Sequence, residues 1–334
     1  MTLSPGKRTR LQRVSNKEGV IAALAIDQRS ALRSLLAKTK GVTPEEIPGP
    51  MLEEFKAGVS RILTPYASAI LLDPEYGLPA ARQRAETSGL LLAYEQTGYD
   101  KSAAGRLPRL LDRWSARRLV EAGADCVKVL LYYSPSSAKS INELKHAWVE
   151  RVGTECEALQ VPFFLELVAY HDAMDEKSLE FARTKPETVV GSLTEFSKTQ
   201  YCVDIFKVGF AVNIAFVGQG RDFAYTREEA KEHLQRAAAA AVKPFIYLSE
   251  GVSNKTFSHA LELAAEARVR YSGVLCGRAT WKDGVEVYAK SGMGALEEWL
   301  GSVGAENIRR VNEELRAATS WRDVYGQAAT ESAR

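Results

Sequence analysis

VDIFKV, residues 203–208, is a short apolar run of the kind that fills a strand buried on both faces, and Lys207 stands inside it. A fully buried ammonium is costly unless it is paired or gives up its proton. Two further apolar runs carry the same intrusion: CVKVLLYY (126–133) holds Lys128, and VPFFLELVAY (161–170) holds Glu166. Three ionisable side chains, each inside its own hydrophobic strand, point to an active site rather than to a solvated surface.

Similar runs recur along the chain. VIAALAID (20–27), SAILLD (68–73), GLLLAYE (89–95), KPFIYLS (243–249) and YSGVLCG (271–277) join DCVKVLLYY (125–133), VPFFLELV (161–168) and VDIFKV to make eight. Continuous hydrophobicity, rather than strict alternation, indicates parallel strands. Helical patterns occupy 50–65, 106–122, 138–158, 185–199, 226–241 and 253–268, the last opened by Ser253 as N-cap and carrying Phe257, Leu261 and Leu263. Leu296, Trp299, Leu300 and Val303 form an apolar stripe, and Ile308, Val311 and Leu315 form a second after Gly304. Segment 74–88 has room for only a turn or two of helix. Eight βα units predict one α/β domain, a closed (β/α)8 TIM barrel over about residues 18–316, with short helical extensions at both ends. An open doubly wound sheet is the alternative, but its GxGxxG turn after the first strand is absent. Segments 170–184 and 209–225 are the loops long enough to cover a substrate.

Composition narrows the function classes. The 44 basic and 42 acidic residues give a net charge of +2 without long runs, which argues against a nucleic-acid partner. No apolar stretch approaches the ~18 residues needed to span a bilayer. MTLSPGKRTRLQRV (1–14) is basic but lacks the apolar segment of a signal peptide. Cys126, Cys156, Cys202 and Cys276 form no CxxC pair and no cluster with histidine, so they read as free thiols in the cytoplasm. Apolar helix faces leave a homo-oligomer open.

In a barrel of this type the catalytic side chains sit at the C-terminal ends of the strands. Asp27 ends the first strand, Glu166 lies late in the fifth, Lys207 near the end of the sixth and Ser249 at the end of the seventh, while Gly277 and Arg278 follow the eighth. A lysine in an apolar pocket beside a second ammonium loses its proton more readily and becomes a nucleophile. Lys207 with Lys128 across the barrel is the arrangement expected of a Schiff-base enzyme, with Glu166 shuttling protons. The bland alternatives are a Lys207 that snorkels to solvent and a Lys128 salt-bridged inside the barrel. YLSEGVSNKTF (247–257) and GVLCGRATW (273–281) occupy the loops that hold phosphate in this fold. Ser249, Gly251, Gly277 and Arg278 suit a phosphate dianion. Arg29 is either a second anion ligand at the opposite rim or a surface arginine of the first helix.

Several long strings give the chain a resemblance: ALAIDQR (23–29), SAILLDPEYGLPA (68–80), GLLLAYEQTGYD (89–100), YLSEGVS (247–253) and SGVLCGRATW (272–281). Over roughly residues 8–325 the chain resembles the bacterial class I tagatose 1,6-bisphosphate aldolases. The resemblance implies a (β/α)8 fold, a small phosphorylated sugar as substrate and no metal or organic cofactor. It implies Lys207 as the Schiff-base lysine, Glu166 as its acid/base partner and Lys128 as an auxiliary lysine. Asp27 would contact the sugar chain, and Ser249, Gly251, Gly277 and Arg278 the ketose 1-phosphate. Gln28 and Arg29 would lie near the other end. Metal-dependent aldolases need several converging histidines, and of His146, His171, His233 and His259 only His171 follows a strand.

The chain departs from this family after the lysine. The family carries Glu following Lys-Val, whereas here KVGFAVNIAF (207–216) places Gly209 there. That change leaves Schiff-base chemistry intact and bears on the substrate. Relatives that cleave sulfofructose 1-phosphate share the lysine chemistry and differ mainly at the end distal to the ketone. A non-catalytic sugar-phosphate sensor is the rival of another class; three buried charges serve it no purpose.

Overall fold

The computed structural model describes residues 2–99 and 103–326. Strands β1 (Ile21–Ala25), β2 (Ala69–Leu72), β3 (Gly89–Ala93), β4 (Cys126–Tyr133), β5 (Phe163–Ala169), β6 (Ile205–Val208), β7 (Phe245–Leu248) and β8 (Gly273–Cys276) pair in parallel and in order, and β8 closes onto β1. The result is the expected (β/α)8 barrel. Around it run α1 (Pro5–Arg13), α2 (Ser30–Lys40), α3 (Gly49–Leu63), the one-turn α4 (Leu78–Ala81), α5 (Ala116–Glu121), α6 (Lys139–Ala158), α7 (Leu179–Phe196), α8 (Arg227–Ala240), α9 (Asn254–Glu266), α10 (Arg278–Trp281), α11 (Gly284–Trp299), α12 (Ala305–Glu314) and α13 (Arg322–Tyr325). Among the described residues no helix is long and apolar enough to cross a membrane.

Side-chain alternation sorts each strand into two cores. Ala23, Ala25, Ala69, Leu71, Leu91, Ala93, Cys126, Phe164, Ile205, Ile246 and Leu275 form one cluster inside the barrel. Their neighbours Leu24, Ile70, Leu92, Val127, Leu165 and Phe206 belong to a separate cluster against the helices. Burying both faces is why the strands read as unbroken apolar runs, and each fully buried Leu or Phe contributes about 1.5–3 kcal/mol over exposure.

The two terminal extensions close the barrel floor. Leu11, Val14, Trp321 and Tyr325 join the inner cluster. Lys7 of α1 is buried with its Nζ 2.8 Å from Asp204 and 2.6 Å from Glu157, and Asp204 also accepts the Phe163 N–H at 2.8 Å. The acidic residue of VDIFKV thus serves the floor, while its lysine faces the other end.

Three local expectations are corrected. Segment 106–122 is not one helix: Gly105 and Arg106 both have left-handed backbones, Pro108 follows, and only Ala116–Glu121 is helical behind an N-cap at Ser115. Helix α7 begins at Leu179 rather than 185, because Ser178 caps it and Pro186 is accommodated inside. The Ala182 carbonyl, deprived of its i+4 donor by Pro186, accepts the Tyr225 hydroxyl instead. The loop after β5 is correspondingly shorter than 170–184. Finally, Leu296 and Leu300 are buried, but a π-helical turn over Leu300–Gly304 shifts the phase and leaves Val303 exposed.

Candidate active site

Inward parity continues past the apolar layers to the C-terminal ends of the strands. Asp27, Asp73, Glu95, Lys128, Glu166 and Lys207 follow the inward-facing Ala25, Leu71, Ala93, Cys126, Phe164 and Ile205 by two residues each. The barrel therefore changes, over one layer, from small apolar side chains to buried charges. Glu166 and Lys207 are direct partners across the β5–β6 pair. Lys128 is in register with Phe164, one step lower, and its stem rises to the carboxylates.

Lys128 has no exposed surface, and its Nζ lies 2.6 Å from Glu166, 2.7 Å from Glu95 and 2.9 Å from Asp27. Lys207, 3% exposed, has its Nζ 2.8 Å from the same Glu166 oxygen. Burial opposes the charge on Lys128, but the Asp27, Glu166 and Glu95 carboxylates outweigh it and hold its pKa well above the usual lysine value. Burial pushes the Glu95 carboxyl up, and Lys128 pulls it back only in part. Two ammoniums and three carboxylates share this layer, and the buried Arg29 guanidinium also acts on Glu95. Glu95 was not among the residues singled out from the sequence. Its place at the end of GLLLAYE, two residues beyond Ala93, carried the same signal as Asp27.

For Asp27, burial alone would raise the carboxyl, but Lys128 and Lys207 outweigh it and hold it well below the usual carboxylate range. A carboxyl depressed on folding adds stability that is fully present above its ordinary value of about 4 and is lost as pH falls through the folded value. Stability of the wild-type chain is therefore expected to fall more steeply below about pH 4 than that of Asp27→Asn, in urea titrations run at several pH values.

A second buried pair braces the wall. Lys56 of α3 and Asp73, both without exposed surface, form an ion pair, and Asp73 accepts the N–H groups of Glu75 at 3.0 Å and Tyr76 at 2.8 Å. Removing one partner strands a buried charge, so Asp73→Ala is expected to cost about 3–5 kcal/mol in urea unfolding. Lys56→Met in that background should recover part of the loss.

A cavity of about 490 Å³ opens above the charges, lined by Asp27, Gln28, Glu95, Arg106, Glu166 and Arg278 among others. Gln28 donates to Asp27 Oδ1 at 3.1 Å and leaves its own Oε1 buried without a partner among the described residues. Arg29 also borders this cavity, but it is buried rather than on the surface. It donates to Glu75 at 2.7 Å and to the Glu95 carbonyl at 2.6 Å, while its Nε has no partner among the described residues. Ser249 does not line this cavity; it is buried beside a separate hollow of about 40 Å³ bordered by Phe210, Glu250 and Phe257. Gly251 has φ +77°, and a Cβ there would stand 2.6 Å from Arg278 Cζ, so the guanidinium rests on its backbone. Gly277 packs against β1, where a Cβ would meet the Ala25 carbonyl oxygen at 2.9 Å. Arg106 was missed from the sequence; its guanidinium lies 4.8 Å from the Tyr132 ring and 4.9 Å from the Tyr170 ring and pairs with Glu176 at 2.6 Å. Larger hollows, of about 640 Å³ beside Arg33 and Trp114 and about 920 Å³ between α9 and α12, hold no comparable network. Among the described residues no three His, Cys, Asp or Glu side chains are grouped to hold a metal ion.

A parallel barrel with paired lysines and carboxylates buried under its C-terminal mouth defines a site for proton and carbonyl chemistry on a small molecule. The chain belongs to the DeoC/LacD aldolase family, whose pattern matches residues 21–283. It is 48% identical over 329 residues to the tagatose 1,6-diphosphate aldolase of Listeria monocytogenes (serotype 4b, strain CLIP80459), covering 97% of this chain and 96% of that one. It is 49% identical over 316 residues to tagatose 1,6-diphosphate aldolase 1 of Enterococcus faecalis, covering 94% and 96%. The Streptococcus pneumoniae enzyme of the same name is 47% identical over 328 residues, covering 97% and 99%. In fold, the chain matches a fructose-bisphosphate aldolase from Plasmodium falciparum with TM-score 0.64 at 14% identity, over 98% of both chains. A Schiff-base-forming fructose-1,6-bisphosphate aldolase gives TM-score 0.52 at 12% identity, over 88% of this chain and 98% of that one.

Proposed function

We propose that this chain is a class I aldolase that cleaves D-tagatose 1,6-bisphosphate to glycerone phosphate and D-glyceraldehyde 3-phosphate, with Lys207 as the nucleophile. The observation that carries the reading is the unequal pairing of the two central lysines. Lys128 is held by three carboxylates, whereas Lys207 has Glu166 as its one carboxylate partner among the described residues. Freeing Lys128 would break three charge pairs; freeing Lys207 breaks one, and Glu166 keeps Lys128.

The chemistry follows from that geometry. The Lys207 amine adds to the ketone at C2, and Glu166, 2.8 Å from Nζ, supplies the proton that lets the carbinolamine lose water. The resulting iminium draws electrons as Glu166, left a carboxylate by that step, takes the C4 hydroxyl proton and the C3–C4 bond breaks. The aldehyde leaves, Glu166 returns the proton to the enamine at C3, and water restores the ketone and the free amine. Lys128 stays an ammonium throughout and holds Glu166, Glu95 and Asp27 in place. Asp27 meets the sugar hydroxyls. Ser249, Gly251, Gly277 and Arg278 take the 1-phosphate, with Gln28 Nε2 bordering Gly277, 3.6 Å from where a Cβ there would stand, and Arg29 stands at the other end.

The names carried by the relatives favour tagatose over its C4 epimer, fructose. The test is kcat/KM on tagatose 1,6-bisphosphate, fructose 1,6-bisphosphate and sulfofructose 1-phosphate. Tagatose 1,6-bisphosphate is expected to be the best substrate, with fructose 1,6-bisphosphate cleaved more slowly. A preference for the sulfonate would move the assignment to a sulfosugar aldolase, and binding without cleavage of any of them would make the chain a sensor.

A further inference from the structure

Gly209 stands two residues beyond Lys207, and the space its side chain would occupy is already filled. The carboxylate of Glu250, which reaches over from the loop after β7, lies there, and a Cβ on Gly209 would run into it. Both Glu250 oxygens are 2.9 Å from the Nζ of Lys185 on α7, and Lys185 is 6% exposed. Glu250 holds a left-handed backbone at φ +48°, a conformation that a glutamate keeps only where its surroundings enforce it.

What Glu250 anchors is the turn next to the proposed phosphate site. The turn is closed by the Val252 N–H donating to the Ser249 carbonyl at 3.0 Å. Gly251, at its centre, is the surface on which the Arg278 guanidinium lies. A continuous line of contacts therefore runs from Lys185 on α7 through Glu250 and Gly251 to Arg278 at the barrel mouth.

We propose that Glu250 is a positioning residue: by pairing with Lys185 across the space above Gly209, it fixes the 249–252 turn and, through Gly251, the Arg278 guanidinium for the phosphate of the substrate. This rests on the function proposed above. It also gives a physical reason for glycine at 209, where a side chain would meet the Glu250 carboxylate. One carboxylate fits over Lys185, and here it comes from the seventh strand's loop instead of the sixth's. A glutamate at 209 would start from the same spot, so either position can supply the charge, but not both.

The prediction is a charge relocation read by kinetics. Glu250→Ala is expected to raise KM for tagatose 1,6-bisphosphate about tenfold with kcat within about twofold, since a half-buried charge pair is lost away from the reacting carbons. The inhibition constant of inorganic phosphate should rise in parallel. Gly209→Glu in the Glu250→Ala background should bring KM back to within about threefold of the wild type, an outcome that a generally damaged fold would not give. Gly209→Glu alone, which forces two carboxylates onto one lysine, should raise KM at least as much as Glu250→Ala. An unchanged KM in Glu250→Ala would overturn the proposal, as would a double variant no better than the single one. A wild-type chain that leaves tagatose 1,6-bisphosphate intact sinks the substrate reading alone. Inorganic phosphate binding by calorimetry in the same variants then carries the test, with the same order of affinities expected.

Discussion

Lys207→Ala is expected to lower kcat/KM for tagatose 1,6-bisphosphate by at least 10⁴-fold, on the order of what loss of a covalent nucleophile costs, while leaving the fold intact. Stability should survive because Glu166 keeps its 2.6 Å contact with Lys128 when Lys207 is gone. The lost side chain also lies above the apolar layer of the barrel rather than within it. Circular dichroism and a urea melt on the same preparation separate the two effects. A variant that keeps more than a few per cent of its activity would mean that Lys128 or another amine does the chemistry.

Glu166→Gln is expected to reduce kcat by about 10²–10⁴-fold, the usual worth of a positioned general acid–base group, without preventing substrate binding. This carboxylate is the one both ammoniums share, at 2.6 Å and 2.8 Å. Replacing it by an amide leaves Lys128 paired with Asp27 and Glu95, while Lys207 loses its one carboxylate partner among the described residues. The informative readout is the split between steps. Substrate should still protect the protein against thermal unfolding, and the steady-state rate should drop. An unchanged kcat would assign the proton transfers to Glu95 or Asp27 instead.

The strands were legible because burial on both faces writes itself as an unbroken apolar run, and that signal is local. The floor was not legible: Asp204 and Lys207 sit three residues apart in VDIFKV yet serve opposite ends of the barrel, and nothing local says that Lys7 and Glu157 meet the first. At the site, Lys128, Glu166 and Lys207 stood out as charges inside apolar runs. Glu95 did not, because at the last position of its run it looks like an ordinary strand-ending residue; only the inward parity shared with Asp27 marks it. Arg106 was hidden for a different reason. Its segment reads as an amphipathic helix, and the left-handed backbone at Gly105 and Arg106 that turns it over the Tyr132 and Tyr170 rings depends on tertiary contacts. Phase errors follow similar logic, since no hydrophobic periodicity announces the π-helical turn that exposes Val303.

The most direct measurement is borohydride reduction of the protein in the presence of tagatose 1,6-bisphosphate or glycerone phosphate, followed by peptide mass spectrometry. An adduct on the peptide that contains Lys207, slower to form in Glu166→Gln and absent in Lys207→Ala, is the predicted result. An adduct on Lys128, or none while either ligand demonstrably binds, would contradict the account.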